Sequence, residues 1–350
     1  MTTFEKLERC YNSFYDEKSK DNFINRLRNN LSKDGSGGKY LVNMIADNCK
    51  NIPSPNIAQW YKGGGNGKQL IVYGAFTSGK TRYDFSKYLG LDDIYCFCDK
   101  DVNKQNKDFC GKRVISPEEL VKNYKNYYVL IETKYYYDEV YKYLIDNGFP
   151  KENIVAHGDN GIQYLDYEYM EFDDNEIMID GGCFDCGTIK DFISRVGGKY
   201  NKIIAFEPDY SNYIRCKQIL EKENIERVEV INKGLWDKET RVGFCGNEES
   251  CSRISENDGE DSIETISIDQ LAGKEKITFI KMDIEGAELK ALMGAKNVIM
   301  RDKPKLAICI YHKPEDILDI QEYLLELVPD YRFGIRHYTD HAFETVLYAF

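Results

Sequence analysis

The 350-residue chain has no excess of positive charge: 47 Lys and Arg stand against 59 Asp and Glu, a formal net charge of −12. Binding to a nucleic-acid backbone depends on clustered cations that neutralise phosphates, so no nucleic-acid partner is expected. Long apolar runs are missing as well. No stretch reaches the roughly 20 residues that cross a bilayer, which predicts no membrane span. The opening MTTFEKLERC is of mixed charge and no apolar stretch follows it, so a secretory signal is not expected and a cytoplasmic location is the default. The 11 cysteines are scattered and lack the even framework of a small disulfide scaffold. Histidine is scarce, at four residues, so each one near a strand end carries weight.

Apolar residues make up 42% of the chain and charged residues 30%, the balance of a folded globular protein. The length suggests two domains. Residues 1–65 show helical spacing of apolar positions (Leu7, Tyr11, Phe14, then Phe23, Ile24, Leu27, Leu31) and read as a helical segment. After GGGNG at 63–67, strand-like runs at 69–73, 94–98 and 127–132 alternate with helix-like runs at about 79–89, 117–124 and 136–147. This alternation predicts a parallel sheet with right-handed crossovers, a Rossmann-like domain over 66–160. A second series begins at Glu176, with strands at 176–180, 202–206, 228–232, 277–282, 305–311, 332–337 and 343–350. The short turn between the last two permits only an antiparallel hairpin. The expected fold is therefore α/β: two doubly wound Rossmann-like domains behind a helical N-terminal segment, the C-terminal one a seven-stranded sheet with one antiparallel strand.

The chemistry concentrates in the second series. DGGCFDCGT at 180–188 is a Gly-rich turn between a strand and a helix, where glycine lets a ligand approach the backbone. The next strand ends in AFEPD, placing Glu207 about 27 residues after Asp180, near the spacing at which a carboxylate accepts both hydroxyls of a ribose. The third runs into NKGLW, where Asn232 can reach the adenine edge or the ribose, and the fourth into IKMDIEGAE. Ligands in such sheets collect at the carboxyl ends of strands, so Asp180, Glu207, Asn232 and Asp283 should converge on one crevice.

These motifs, with PKLAICIYHKPED at 304–316 and the terminal IRHYTDHAFETVLYAF, resemble the FkbM-type methyltransferases over residues 172–350. The resemblance implies S-adenosylmethionine as cofactor, with Asp180, Gly182, Asp185 and Thr188 around its methionine part, Glu207 on the ribose and Asp283 near the sulfonium. It departs from the family at Cys186, where glycine is common. It also implies O-methylation, and the acceptor expected is a hydroxyl of a sugar or glycan precursor. The alternative is a non-catalytic scaffold that binds a nucleotide or nucleotide sugar.

Methyl transfer to a hydroxyl needs its proton removed near neutral pH, a task suited to imidazole, so His312 is the expected base and His337 a second catalytic candidate. Asp283 and Glu285 could instead hold a divalent ion that acidifies the hydroxyl; the expectation is that no metal is bound. Cys183 and Cys186 form a CxxC with no second pair, which reads as packing. GAFTSGKT at 74–81 matches the phosphate-loop pattern, yet no later strand of that half ends in a clear magnesium-binding Asp. The segment reads instead as the turn of a degenerate nucleotide or nucleotide-sugar domain.

Overall fold

The computed structural model describes residues 2–32, 36–63, 69–133, 136–158, 161–245, 253–255 and 262–350. Most of the GGGNG stretch, including the expected boundary at 65–66, lies outside the described residues, as does position 160. Two compact units emerge, one of residues 1–24, 161–337 and 344–350 and one of residues 25–160 and 338–343. The N-terminal helical residues are thus divided between the units. α1 (Thr3–Asn12) and the first half of α2 (Glu17–Leu31) go with the larger. No described helix is long and apolar enough to cross a membrane.

In the smaller unit, α3 (Gly38–Asn48) and α4 (Ile57–Gly63) precede β1 (Leu70–Tyr73), α5 (Thr77–Tyr88), β2 (Ile94–Cys98), β3 (Asp108–Phe109), β4 (Lys112–Ile115), α6 (Pro117–Asn123), β5 (Tyr128–Ile131), α7 (Tyr137–Asp146) and β6 (Ile154–Val155). The strand order is β3-β4-β2-β1-β5-β6, parallel throughout except for β3. Helices cover both faces, which explains the unbroken apolar runs. Leu70 and Val72 enter one core and Ile71 and Tyr73 the other, and Cys96 and Cys98 pack together on the second face.

A charged network is buried in this unit. The Arg82 guanidinium is 1% exposed and pairs through Nε with Glu132 at 2.5 Å and through the other nitrogens with the Asp340 carboxylate, the Asp340 carbonyl and the Tyr61 hydroxyl. His157 joins from the other side, its Nδ1 2.6 Å from Asp340 Oδ2 and its Nε2 2.9 Å from the Ile131 carbonyl. Burial works against charge on His157, but the adjoining Asp340 carboxylate prevails and holds the imidazole up to about 9. Burial likewise opposes ionisation of Asp340, and Arg82 and His157 overcome it, keeping that carboxyl well below its ordinary range.

The larger unit contains β7 (Ile177–Gly181), α8 (Gly187–Arg195), β8 (Lys202–Phe206), α9 (Tyr210–Lys222), β9 (Val228–Ile231), β10 (Gly234–Leu235), β11 (Thr240–Cys245), β12 (Arg253–Ser255), β13 (Ser262–Ile266), α10 (Ile268–Ala272), β14 (Phe279–Met282), α11 (Glu288–Met293), α12 (Lys296–Asp302), β15 (Lys305–Cys309), α13 (Asp316–Leu327), β16 (Phe333–His337) and β17 (Thr345–Ala349). Its main sheet has seven strands in the order β16-β17-β15-β14-β7-β8-β9. Only β17 runs against its neighbours, the antiparallel strand expected from the terminal hairpin. The order reverses between β7 and β14, the switch point at which ligands bind. The sequence analysis did not foresee the four-stranded sheet β10-β13-β11-β12, inserted between the third and fourth strands of the main sheet. Residues 13–15 supply a further surprise. Phe14 bridges Phe333, the Tyr15 amide donates to the Phe333 carbonyl at 2.8 Å, and the exposed edge of β16 is thereby covered.

Removing one member of a buried ion network strands its partners, at about 3–5 kcal/mol. Arg82→Ala should lower the unfolding free energy by about that amount, read by urea denaturation. A histidine whose folded value lies above its unfolded one stabilises fully below about pH 6.5 and loses that contribution as pH rises through about 9. The parent should therefore lose stability between pH 7 and pH 10 relative to His157→Gln; parallel curves would contradict the placement of that proton.

Candidate active site

The carboxyl ends of β7, β8 and β14 meet around the loop 181–187. Asp180, the next-to-last residue of β7, has its side chain completely buried, and its Oδ1 lies 3.0 Å from Lys281 Nζ. Lys281, on β14, also donates to the carbonyls of Gly181 and Gly182 at 3.1 and 2.8 Å. Burial opposes the charge on Lys281, but Asp180 and then Asp283 outweigh it and raise the ammonium above its usual range. Gly182 has a φ of +77°, and a Cβ there would come within 2.0 Å of the Asp283 carbonyl oxygen, so no side chain fits. Asp185 accepts the Gly187 amide at 3.0 Å, and Thr188 is half-buried in the first turn of α8. Cys186 caps that helix in the left-handed region, φ +62°, which gives a physical reason for glycine at this position in the resembled family. Cys183 and Cys216 lie buried with their sulfurs 3.7 Å apart, and both are free thiols, as is Cys186.

Glu207, at the end of β8, is 6% exposed, and each carboxylate oxygen accepts one backbone amide: Phe184 at 3.0 Å and Asp209 at 2.9 Å. Burial raises its carboxyl to about 7 against the pull of these two amides. The Asn232 amide group donates to the carbonyls of Glu207 and Pro208 at 2.8 and 3.0 Å, so its nitrogen braces the strand end.

Asp283, at the end of β14, receives the Tyr164 hydroxyl at 2.8 Å and the Tyr311 hydroxyl at 3.0 Å. Burial would raise its carboxyl, but Lys281, then His312 and the two hydroxyls, lower it on balance. Glu344 accepts from the same two tyrosines, at 3.4 and 3.2 Å, and from the Gln163 side chain. Tyr164, Tyr311 and Glu344 escaped the sequence reading. Tyr164 lies in a connector that carries no strand or helix period, and Glu344 precedes β17 like any polar residue at a strand entry.

His312 follows β15 and lies against the loop after β14. Its Nδ1 is 2.9 Å from the completely buried Glu288, and its Nε2 is 3.5 Å from Asp283 and 3.4 Å from Glu285. Burial lowers its proton affinity, but Glu288 first and then Asp283 and Glu285 raise the imidazole to about 9. The surrounding carboxylates therefore favour the protonated imidazole at pH 7. His337 is elsewhere: it ends β16, the outermost strand and three positions from β14, with its Nδ1 2.9 Å from the Thr345 hydroxyl. The structure does not bring it to the group around Asp283. Two sets of donors lie close enough to share one cation: Asp283 with Glu288 and His312, and Asp283 with Cys309 and Glu344.

In the smaller unit, the GAFTSGKT turn is too short for a phosphate cradle. α5 begins at Thr77, the Lys80 amide is committed to the Phe76 carbonyl at 2.9 Å, and Lys80 Nζ pairs with Asp84 at 2.8 Å. The Ala75 amide donates to Asp99 Oδ2 at 3.0 Å, at the end of β2.

Lys281→Met leaves the Asp180 carboxylate buried and unpaired, so stability should fall by about 3–5 kcal/mol. The double variant Asp180→Asn, Lys281→Met should recover part of the loss; equal losses in the two, measured by urea denaturation, would mean that the charge on Asp180 is immaterial.

Residues 183–333 match the family model of the methyltransferase FkbM domain, and residues 66–155 that of the C2185-like N-terminal domain. No curated protein matches the chain. Among solved structures, a methyltransferase FkbM from Methylobacillus flagellatus KT is 21% identical, with 91% of this chain and 100% of that one covered and a TM-score of 0.52. A putative methyltransferase from Streptococcus mutans, in complex with S-adenosylhomocysteine, is 17% identical over 51% of this chain and 89% of that one, with a TM-score of 0.33. With the switch-point loop, the acidic strand ends and the reversed seven-stranded sheet, residues 183–333 are a methyltransferase FkbM domain, whose cofactor is S-adenosylmethionine.

Proposed function

We propose that the protein transfers the methyl group of S-adenosylmethionine to a hydroxyl oxygen of a sugar or glycan precursor. The observation that carries the reading is the Glu207 carboxylate, pinned by two backbone amides at the end of β8 beside the loop 181–187. Each oxygen keeps a lone pair for one ribose hydroxyl. The loop, from Gly182 through Asp185 to Thr188, takes the methionine part, and Asn232 offers its carbonyl oxygen toward the adenosine. Asp283 stands near the sulfonium, where its carboxylate offsets the positive charge.

The acceptor oxygen belongs among Asp283, Tyr164, Tyr311, Glu344 and His312, a group rich in acceptors and hydroxyls that suits a polyol. In the transfer, the acceptor oxygen attacks the methyl carbon in line with the departing sulfur. The C–O bond forms, the C–S bond breaks with its electron pair left on sulfur as S-adenosylhomocysteine, and the hydroxyl proton passes to the surrounding carboxylates. Much of the rate comes from holding the two reactants in that line. His312 acts here as a fixed positive centre that favours oxyanion character on the acceptor. The net charge of −12 favours a small neutral acceptor over a polyanion. We also read the unit of residues 25–160 as a nucleotide-sugar-type module that lost its phosphate grip.

Calorimetry should detect S-adenosylhomocysteine binding, and NAD and ATP should give no comparable heat. The carboxylate form of Glu207 is the one that accepts two ribose hydroxyls, so affinity should rise with pH through about 7 and be roughly tenfold weaker at pH 6 than at pH 8. Glu207→Gln should remove that dependence. Absence of S-adenosylhomocysteine binding would end the transferase reading, and a pH-independent affinity in the parent would remove Glu207 from the ribose.

A further inference from the structure

One motif has no part in methyl transfer: the CxxC of Cys183 and Cys186. In the fold it meets a third thiol, Cys216 of α9, and all three are buried, Cys183 with 3% exposure and the other two with none. The sulfurs of Cys183 and Cys216 stand 3.7 Å apart, which leaves no room for an atom between them. The Cys216 S–H donates to the Phe184 carbonyl at 3.2 Å, whereas Cys186 directs its sulfur to the Cys216 carbonyl at 3.9 Å. The pair lies just under the surface, since Phe184, the residue after Cys183, is 57% exposed. Phe184 also ties the thiols to Glu207. Its amide donates to the Glu207 carboxylate at 3.0 Å, and its carbonyl accepts from Cys216 and, at 3.1 Å, from Arg215. Its backbone stands at φ +45°, a conformation that a residue other than glycine keeps only where its surroundings hold it.

We propose that Cys183 and Cys216 are a site of reversible oxidation, closing a disulfide under the loop 181–187 that weakens the hold on S-adenosylmethionine. The loss of affinity follows from the reading of Glu207 as the ribose carboxylate. The oxidant is a small uncharged peroxide, hydrogen peroxide being the simplest, because burial shuts out bulky disulfides. One thiolate attacks a peroxide oxygen, the O–O bond breaks, and that sulfur becomes a sulfenic acid as water leaves. The other sulfur then attacks it, the S–O bond breaks, and a second water departs. Two thiols and one peroxide thus give one disulfide and two waters, with the sulfurs oxidised and the peroxide reduced. The new bond draws the sulfurs from 3.7 Å to about 2.05 Å. It also removes the Cys216 S–H, so the Phe184 carbonyl loses that donor. The Cys183 amide is held by the Phe206 carbonyl at 3.1 Å, and Cys216 is held within a helix. The pull therefore falls on the peptide between Cys183 and Phe184, whose amide pins Glu207.

The test exposes the whole chain, fully reduced beforehand, to hydrogen peroxide and reads the product by peptide mapping with mass spectrometry. A linked pair of peptides carrying Cys183 and Cys216 should appear, and dithiothreitol should reverse the linkage. Calorimetry should then show S-adenosylhomocysteine bound about ten- to a hundredfold more weakly by the oxidised protein than by the reduced one, the worth of a hydrogen bond to a charged group. Cys216→Ser supplies a hydroxyl for the Phe184 carbonyl, so it should bind S-adenosylhomocysteine like the reduced parent and lose the response to peroxide. Replacing the half-buried thiol of the smaller unit, in Cys110→Ser, should leave the response as in the parent. Peroxide treatment that yields no linkage between Cys183 and Cys216 overturns the site, and so does a linkage that leaves the affinity unchanged. The linkage is read without any cofactor, so a reduced parent that binds no S-adenosylhomocysteine counts against the transferase reading and not against the disulfide.

Discussion

The buried pair of Asp180 and Lys281 is the constraint from which the geometry of the crevice follows. Two charges taken out of water are costly, and the pair persists only because each charge answers the other and the ammonium also reaches two carbonyls. Those carbonyls belong to Gly181 and Gly182, the first residues of the loop 181–187. One ammonium therefore ties the end of β14 to the turn leaving β7. The switch point of the sheet, otherwise a gap between two diverging crossovers, gains a fixed floor. Gly182 can then lie against the Asp283 carbonyl, and the loop and the acidic strand end are set as one piece.

From that floor the site divides into two electrostatic regions. On the β8 side, Glu207 is surrounded by amides and apolar burial and holds its proton up to about 7. On the β15 side, Asp283 lies near an ammonium, an imidazole and two tyrosine hydroxyls and stays ionised. The two carboxylates share a sheet edge and residue chemistry, yet their surroundings push them in opposite directions. Burial dominates at one carboxylate and neighbouring positive charge and hydroxyls at the other.

Six of the seven strands were readable because they are largely buried apolar runs bounded by polar or glycine residues, β9 because its valines and isoleucine keep a strand pattern, and the hairpin because so short a connection joins only antiparallel strands. The acidic strand ends were readable from the same frame, since a residue just past a buried run lands on the ligand edge. What a strand ending cannot convey is lateral position: His312 and His337 look equivalent in sequence, and only the strand order separates the center of the sheet from its rim. Lys281 was invisible for a different reason. In FIKM it occupies an ordinary position of a strand, and its role exists only because Asp180, 101 positions earlier, is registered directly beside it. The network of Arg82, His157 and Asp340 joins residues up to 258 positions apart and has no local signature at all.

The backbone gives an independent account of where this protein gives up stability. Tyr164, Phe184, Cys186, Glu285 and Glu344 all adopt left-handed φ values, between +45° and +67°, and all border the loop or the group around Asp283. An L-residue pays about 1–2 kcal/mol in that conformation, and glycine would be relieved of it. Glycine is used where only the chain path matters, at Gly182 and Gly286. At the other five positions a side chain is kept despite the strain. Tyr164 and Glu344 provide hydrogen bonds around Asp283, Glu285 provides a carboxylate facing His312, and Cys186 fills the space beside Cys216. Strain of this kind survives only where the surrounding packing leaves no alternative. The floor made by Asp180 and Lys281 is what denies the loop that alternative, so the cost of the buried charges and the cost of the strained backbone serve the same end: a crevice whose shape is set before any ligand arrives.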